Sequence, residues 1–249
     1  MSESIKYTSK NIAEFYSKNR IKWDDFYNSE KVIFENSIVD KNISVLDLGC
    51  GCGGLGIALM ERFGVEDYTG IDIQTEAVEL GKSLRPTANI YVDDIFNLQN
   101  ENIKSRKFDL VVSLSCIDWN LNFDHTLKSA WDLVKDGGVF ISTFRLTNAA
   151  TVDDIKKSYQ YINFEGKFEG EIAPYVVLNV NDLLGKLSYL DPKEIKASGY
   201  WGQPSKSAKT IYESLCFAAF AIRKKRLGEE TFLKMSLELP LDLFRLNKV

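Results

Sequence analysis

Residues 45–56 read Val-Leu-Asp-Leu-Gly-Cys-Gly-Cys-Gly-Gly-Leu-Gly, an apolar run carrying one acid and leading into five glycines. Glycine is needed where the backbone turns at positive φ or where a ligand lies directly on the main chain. A strand, a glycine turn and a helix N-terminus together form a nucleotide-sized cradle at the carboxyl edge of a parallel sheet. Gly51-x-Gly53-x-x-Gly56 satisfies the dinucleotide fingerprint. Asp47 argues against that ligand, because its carboxylate stands close to where a pyrophosphate would sit. A cationic ligand tolerates the acid.

Two further groups of acids follow at the ends of apolar runs. Asp72 lies just over 20 residues past the glycine turn, where a carboxylate accepts from ribose hydroxyls. It is alternatively a capping acid for the helix that follows. Asp93 and Asp94 close a third run, Tyr91-Val92-Asp93-Asp94-Ile95, whose plain reading is a solvated loop.

The elements that must position these groups alternate. From residue 43 onward apolar runs exchange with amphipathic stretches, the βαβ pattern of a parallel sheet wrapped by helices. Strands are expected at 43–48, 67–72, 88–93, 108–114, 138–144, 193–200 and 212–223, and helices at 54–63, 74–83, 123–135, 151–160 and 180–188. Residues 1–42 hold aromatics at helical spacings, namely Tyr7, Phe15, Tyr16, Trp23, Phe26 and Tyr27, and read as a helical cap. Residues 161–179 break the rhythm with two glycines and alternating aromatics, which suits a hairpin or folded lid. The last strand ends in the basic run Arg223-Lys224-Lys225-Arg226, a solvated strand end or else a phosphate or RNA contact, and the extension 224–249 finishes in an apolar stretch interrupted by Pro240, suited to docking or a dimer contact.

The segment Val45–Gly53 resembles the first motif of the class I, Rossmann-like, S-adenosylmethionine (SAM)-dependent methyltransferases of small-molecule type. The resemblance extends over roughly residues 43–223. It implies an α/β fold with a doubly wound, seven-stranded, mostly parallel sheet whose last strand is antiparallel and inserted between its two predecessors. It also implies SAM as cofactor, S-adenosylhomocysteine (SAH) as product and no metal. Asp47, Gly49, Cys50, Gly51 and Gly53 match the first motif, and Asp72 with Ile73 the second. Asp93 matches the acid that meets the adenine amino group and Asp94 the residue whose N–H meets the ring, with the two assignments exchangeable; Ile95 is an apolar cover, and Ser113 ends the fourth strand. The loop after that strand, Ile117-Asp118-Trp119-Asn120, is not the Asn/Asp-Pro-Pro-Tyr/Phe sequence of many amine methyltransferases, which argues against exocyclic amine methylation of a nucleobase.

Transfer from a sulfonium chiefly requires in-line alignment and exclusion of water. A hydroxyl acceptor also needs a base. His125, the one histidine, lies at a helix start near the strand-four loop and is a candidate, with Asp118 as its competitor. Each has a plainer reading, as a surface residue or a capping acid. Arg145 leaves strand five toward the same edge and suits an acceptor carboxylate or phosphate, or pairs with an acid. Tyr16, Trp23, Trp119, Tyr175 and Trp201 fall in segments that would surround the acceptor, where they either stack on it or pack.

With 249 residues and 45% hydrophobic content the chain fits one large domain, 1–249. A formal charge of −4, from 31 basic and 35 acidic residues, gives no global attraction to nucleic acid. Neither a signal-peptide pattern nor a membrane-length apolar run is visible, so a cytoplasmic monomer or homodimer is expected. The four cysteines match neither a disulfide framework nor a zinc ligand set. The expected acceptor is a small polar metabolite methylated on oxygen, such as a sugar, a nucleotide-activated sugar or a capsule or secondary-metabolite intermediate. The alternatives are RNA or protein methylation and a non-catalytic SAM-binding module.

Overall fold

The computed structural model describes residues 11–163 and 165–245; Tyr7 and the other residues before position 11 lie outside them. The cap comprises α1 (Asn11–Lys18), a 3-10 turn (Trp23–Asp25) and α2 (Asn28–Glu35). There follow β1 (Val45–Leu48), α3 (Gly54–Phe63), β2 (Tyr68–Asp72), α4 (Thr75–Leu84), β3 (Ile90–Val92), α5 (Glu101–Lys104), β4 (Phe108–Ser113), α6 (Phe123–Asp132) and β5 (Val134–Thr147). Beyond them come β6 (Tyr159–Tyr161), β7 (Ile172–Pro174), β8 (Leu178–Asn179), α7 (Val180–Ser188), β9 (Glu194–Gly202), β10 (Ala208–Lys209), β11 (Leu215–Arg223) and β12 (Lys234–Glu238).

The main sheet runs β12-β9-β11-β5-β4-β1-β2-β3, with β8 pairing alongside the end of β5. All its pairings are parallel except those of β11, which lies antiparallel between β5 and β9. Successive strand residues point to opposite faces. On β11, Cys216, Ala218, Phe220 and Ile222 join the core under α6 and α7, whereas Ala219 and Ala221 join the core under α2 and α3. Both faces are therefore covered, which explains why the strands read as continuous apolar runs rather than alternating ones.

Two expectations change. Residues 151–160 do not form a helix. The Asp154 carboxylate accepts from Lys156 N at 2.9 Å and its carbonyl takes the amides of Lys157 and Ser158, closing a turn, while Val152 bridges Val177 in both directions. The chain then enters β6, so the insertion begins before residue 161; β6 and β7 pair antiparallel and β10 completes a separate three-stranded sheet. The seven strands β9, β11, β5, β4, β1, β2 and β3 form the expected sheet, and β12, within the 224–249 extension, adds a further parallel strand to the edge of β9. Within those seven, β11 is the final strand and lies antiparallel between β5 and β9, as expected.

Glycines take left-handed backbone at both ends of α3 and inside β5. Gly53 adopts left-handed φ +74 as the N-cap of α3, and Gly64 at φ +71 ends that helix. Gly137 lies at φ +79 within β5.

Candidate functional site

A cleft of about 790 Å3 opens at the carboxyl ends of β1, β2, β3 and β4, under the cap. That volume suits a nucleoside together with a small partner. Its floor is the glycine turn. Gly49 and Gly51 stand at φ +77 and +54, where a side chain is strained. A Cβ on Gly49 would sit 2.7 Å from the Cys116 sulfur, and one on Gly51 3.3 Å from the Tyr16 ring. The backbone here is bare because neighbours and cleft leave no room for more. The Arg85 guanidinium braces the turn from behind, donating to the carbonyls of Cys52 and Gly53 at 3.1 and 2.6 Å.

Asp47, Gly49, Cys50, Gly51, Asp72, Ile73, Asp93, Asp94 and Ile95 all line this cleft. Gly53 does not; it serves the turn as the helix cap. Ser113 is fully buried within β4 and also lies off the cleft. Asp72 accepts from Gly51 N and Gln74 N, both at 2.8 Å, so one carboxylate ties the glycine turn to the end of β2. Burial pushes its pKa up, opposed by those amides. Asp47 is buried and takes the Tyr68 hydroxyl at 2.6 Å. Burial raises it to about 7, against the pull of that hydrogen bond.

The acids after β3 play distinct local parts. Asp93 receives the amides of Asp94, Gln99 and Asn100 at 2.8–2.9 Å and so folds the loop, while Asp94 caps the next turn through Phe96 N at 2.9 Å. Held by three amides, the Asp93 carboxylate is also a fixed acceptor beside the cleft.

The other end of the cleft belongs to the cap, the loop after β4, the β6–β7 hairpin and the segment before β10. Tyr16, Trp119, Asn120, Gln160, Asn163, Ser205 and Lys206 line it. Of the residues expected around an acceptor, Tyr16 and Trp119 are here and the rest are not. Trp23 packs on Phe34 and Phe63 at ring distances of 6.0 and 5.1 Å, joining the cap to α3. Trp201 donates to Asp242 at 2.9 Å and lines a separate surface groove. Tyr175 is buried behind Trp119 in edge contact at 6.1 Å. Arg145 is buried too, with Nε 3.0 Å from Asp118 Oδ2 and its guanidinium over Tyr175 at 3.9 Å and Trp119 at 4.8 Å.

Neither candidate base lines the cleft. His125 is exposed on α6, stacked on Phe96 at 4.4 Å. Asp118 is buried, and its carboxylate faces Arg145. Burial raises the Asp118 pKa and Arg145 opposes that rise. Cys116 does line the cleft, but burial pushes its thiol well up. Sequence reasoning passed over Arg20 and Gln160, since nothing in their spacing marks them; the fold alone brings them to the cleft. Ser205 and Lys206 end the polar, turn-rich segment 199–206, which the sequence offers as a substrate loop. Among the described residues no group of three or more His, Cys, Asp or Glu is clustered for a metal, and no helix is long and apolar enough to cross a membrane.

A family model for a methyltransferase domain matches residues 39–204. A putative methyltransferase, 235L, of Invertebrate iridescent virus 6 is 28% identical over 162 residues, 62% of this chain and 58% of that one. The 18S rRNA (guanine(1575)-N(7))-methyltransferase of Saccharomyces cerevisiae is 25% identical over 177 residues, 66% of this chain and 60% of that one. The match thus spans about three fifths of these relatives' length. A SAM-dependent methyltransferase structure from Methanosarcina mazei superposes with a TM-score of 0.58 at 16% identity, covering 81% of this chain and 99% of that one, which establishes the shared fold.

Proposed function

The chain belongs to the methyltransferase-domain family, of class I SAM-dependent fold, and from that premise we propose that it transfers the methyl group of SAM to an oxygen of a small polar metabolite. A sugar, a nucleotide-activated sugar or a related capsule or secondary-metabolite intermediate is the preferred acceptor class. The observation that carries the proposal is the composition of one continuous cleft: bare glycine backbone and acids at one end, aromatic, amide and hydroxyl side chains at the other. SAM supplies an activated methyl on a sulfonium. The protein's part is to hold the two partners in line and keep water out, a contribution worth roughly 7–11 kcal/mol of barrier in well-oriented reactions.

The residues divide that work. Asp47 and Asp72 provide negative charge for a cationic nucleoside, Asp93 a fixed acceptor for the adenine edge, and Ile73 and Ile95 apolar cover. Tyr16 lies against Gly51 and closes the cap over the turn. Trp119 and Gln160 border the acceptor end. Cytoplasmic action as a monomer or homodimer belongs to the same reading.

RNA methylation is the second reading, favoured by the rRNA-modifying relative from yeast. Incubation with methyl-labelled SAM and, in parallel, a panel of sugars and nucleotide sugars, and bulk RNA, separates the two. Label in a polar metabolite supports the proposal; label in RNA alone replaces it. SAM binding with label in neither, across broad panels, favours a non-catalytic SAM-binding module.

A further inference from the structure

Charge is distributed unevenly along the cleft. Asp47, Asp72, Asp93 and Asp94 line the glycine-turn end; in the β6–β7 hairpin the lining acid is Glu165, which already pairs with Lys167. Among the described residues that line the cleft, the basic side chains are Arg20 and Lys206. Arg20 is engaged within the cap. It stands at φ +60, and a Cβ added to Gly54 would collide with its carbonyl. Its Nη2 donates to the buried Glu30 at 2.9 Å, and its guanidinium lies 4.7 Å over Phe26. Lys206 has no carboxylate partner among the described residues.

The lysine is nevertheless seated. Gly166 turns the hairpin loop at φ +73, and a Cβ there would stand 3.1 Å from Lys206 Cβ and 3.6 Å from Cδ, so bare backbone receives the lysine stem. The chain on either side is tied down. Ser205 N donates to the Tyr175 hydroxyl at 3.4 Å, the Ser205 carbonyl takes Ala208 N at 2.8 Å, and the Ser207 carbonyl takes Tyr161 N at 3.0 Å. The segment is thereby fixed to the residue behind Trp119, to β10 and to β6. Ser205 and Ser207 line the cleft with the lysine they flank. Gln160, opposite Ala208 in the β6–β10 pairing, lines it too, with Oε1 buried and lacking a hydrogen-bond partner. A buried acceptor without a donor is costly.

An ammonium flanked by hydroxyls suits a phosphoryl group, whose oxygens take the charge and several donors at once. A sugar hydroxyl beside that group supplies the donor that Gln160 lacks. A polynucleotide makes a different demand, since its successive phosphates need several Lys or Arg. This cleft offers one unpaired lysine among acids, in a chain of formal charge −4.

We infer that the acceptor end selects a small phosphorylated molecule and that Lys206 is the residue holding its phosphoryl group. The inference deepens the proposed function and rests on it. Of the acceptors named there it takes nucleotide-activated sugars over neutral ones. The phosphoryl group serves as a handle, and the methyl goes to another oxygen of the same molecule.

The test is calorimetric titration of the SAH-saturated chain, as wild type, K206M and K209M, with pyrophosphate, malonate and a short single-stranded RNA as probes. Lys209 lies in β10, 5.3 Å over Phe168 and outside the cleft, so K209M removes a neighbouring charge and leaves the site intact. Pyrophosphate is expected to bind wild type and K209M alike and K206M about tenfold more weakly, as for loss of a charge-assisted contact. SAH affinity is expected to be equal in all three. Unchanged pyrophosphate affinity in K206M, an equal loss in K209M, or no pyrophosphate binding by wild type overturns the inference. Loss of SAH affinity in K206M makes Lys206 a support of the fold and overturns it as well. Malonate bound as tightly as pyrophosphate replaces the phosphoryl group by a carboxylate, and RNA bound in preference to pyrophosphate replaces the small molecule by a polynucleotide; either result overturns the inference. A wild-type chain that binds no SAH in the loading step overturns the functional reading beneath it, an outcome read before any probe is added.

Discussion

Arg145 Nε lies 3.0 Å from Asp118 Oδ2, with both side chains buried and the guanidinium sandwiched against Tyr175 and Trp119. Arg145 also donates to the carbonyls of Asp118 and Val176. One cation thus pins the loop after β4, which carries Trp119, to the segment after β7, which carries Tyr175. The pair forms the back wall of the acceptor end.

Removing one partner leaves a buried charge without compensation. Arg145→Met is therefore expected to destabilise the fold by about 3–5 kcal/mol, read from urea unfolding. Asp118→Asn is expected to lower stability as well, yet to leave methyl transfer per folded molecule within about threefold. A general base would instead show a loss of roughly 100-fold or more. Such a loss at Asp118 without a stability change would contradict the wall assignment.

His125→Ala removes an exposed ring stacked on Phe96, outside the cleft. Its expected effect on the methyl-transfer rate is less than about twofold, since no contact with the cleft is lost; a loss of the size general acid–base catalysis supplies would return His125 to the chemistry.

Asp47 predicts a pH dependence with a definite sign. Its pKa rises from 3.8 to about 7 on folding, so between those values the folded chain holds a proton that the unfolded chain has released. Stability from this group is full below about pH 4 and is lost as pH rises toward 7. Melting curves from pH 4.5 to 8 should therefore show wild type losing stability relative to Asp47→Asn as pH increases. A cationic ligand favours the ionised acid, so SAM should bind more tightly at pH 8 than at pH 6 in wild type, with that difference reduced in Asp47→Asn. A flat difference between the two melting profiles would show that Asp47 does not titrate in this range.

Gly54→Ala tests the seat of the cap. Gly54 is helical, so alanine suits its backbone, but the added Cβ meets the Arg20 carbonyl. The expected outcome is faster proteolysis within residues 11–35 and weaker SAM binding, while the helical content of α3 is kept. Unchanged protease resistance would show that the cap does not depend on this contact.

The sheet and the glycine-turn end of the cleft were legible because their signals are local. Glycines at fixed offsets announce left-handed turns, and continuous apolar runs such as Leu110–Val112 announce strands covered on both faces. The rest depends on long-range placement. Thr151–Gln160 has a helix-like charge pattern, yet the Asp154 turn and the Val152–Val177 bridge prevail. Lys234–Glu238 is mostly exposed and short of apolar residues, so its strand exists only through pairing with β9. Asp118, His125 and Arg145 stand near the expected place in the chain, but which way a side chain points is decided by packing. Trp23, Tyr175 and Trp201 could be read either as lining or as packing, and the structure places them in packing contacts. Arg20 gave no signal, because its left-handed backbone is held by Gly54, Glu30 and Phe26 rather than by its own preferences.

The central claim is that the cleft binds a sulfur nucleoside on bare glycine backbone beside Asp47 and Asp72. Calorimetric titration of the wild-type chain with SAM and SAH, with NAD as the control, tests it most directly. The account predicts micromolar binding of SAM or SAH and none of NAD. Binding of NAD with no response to either sulfur nucleoside would contradict it.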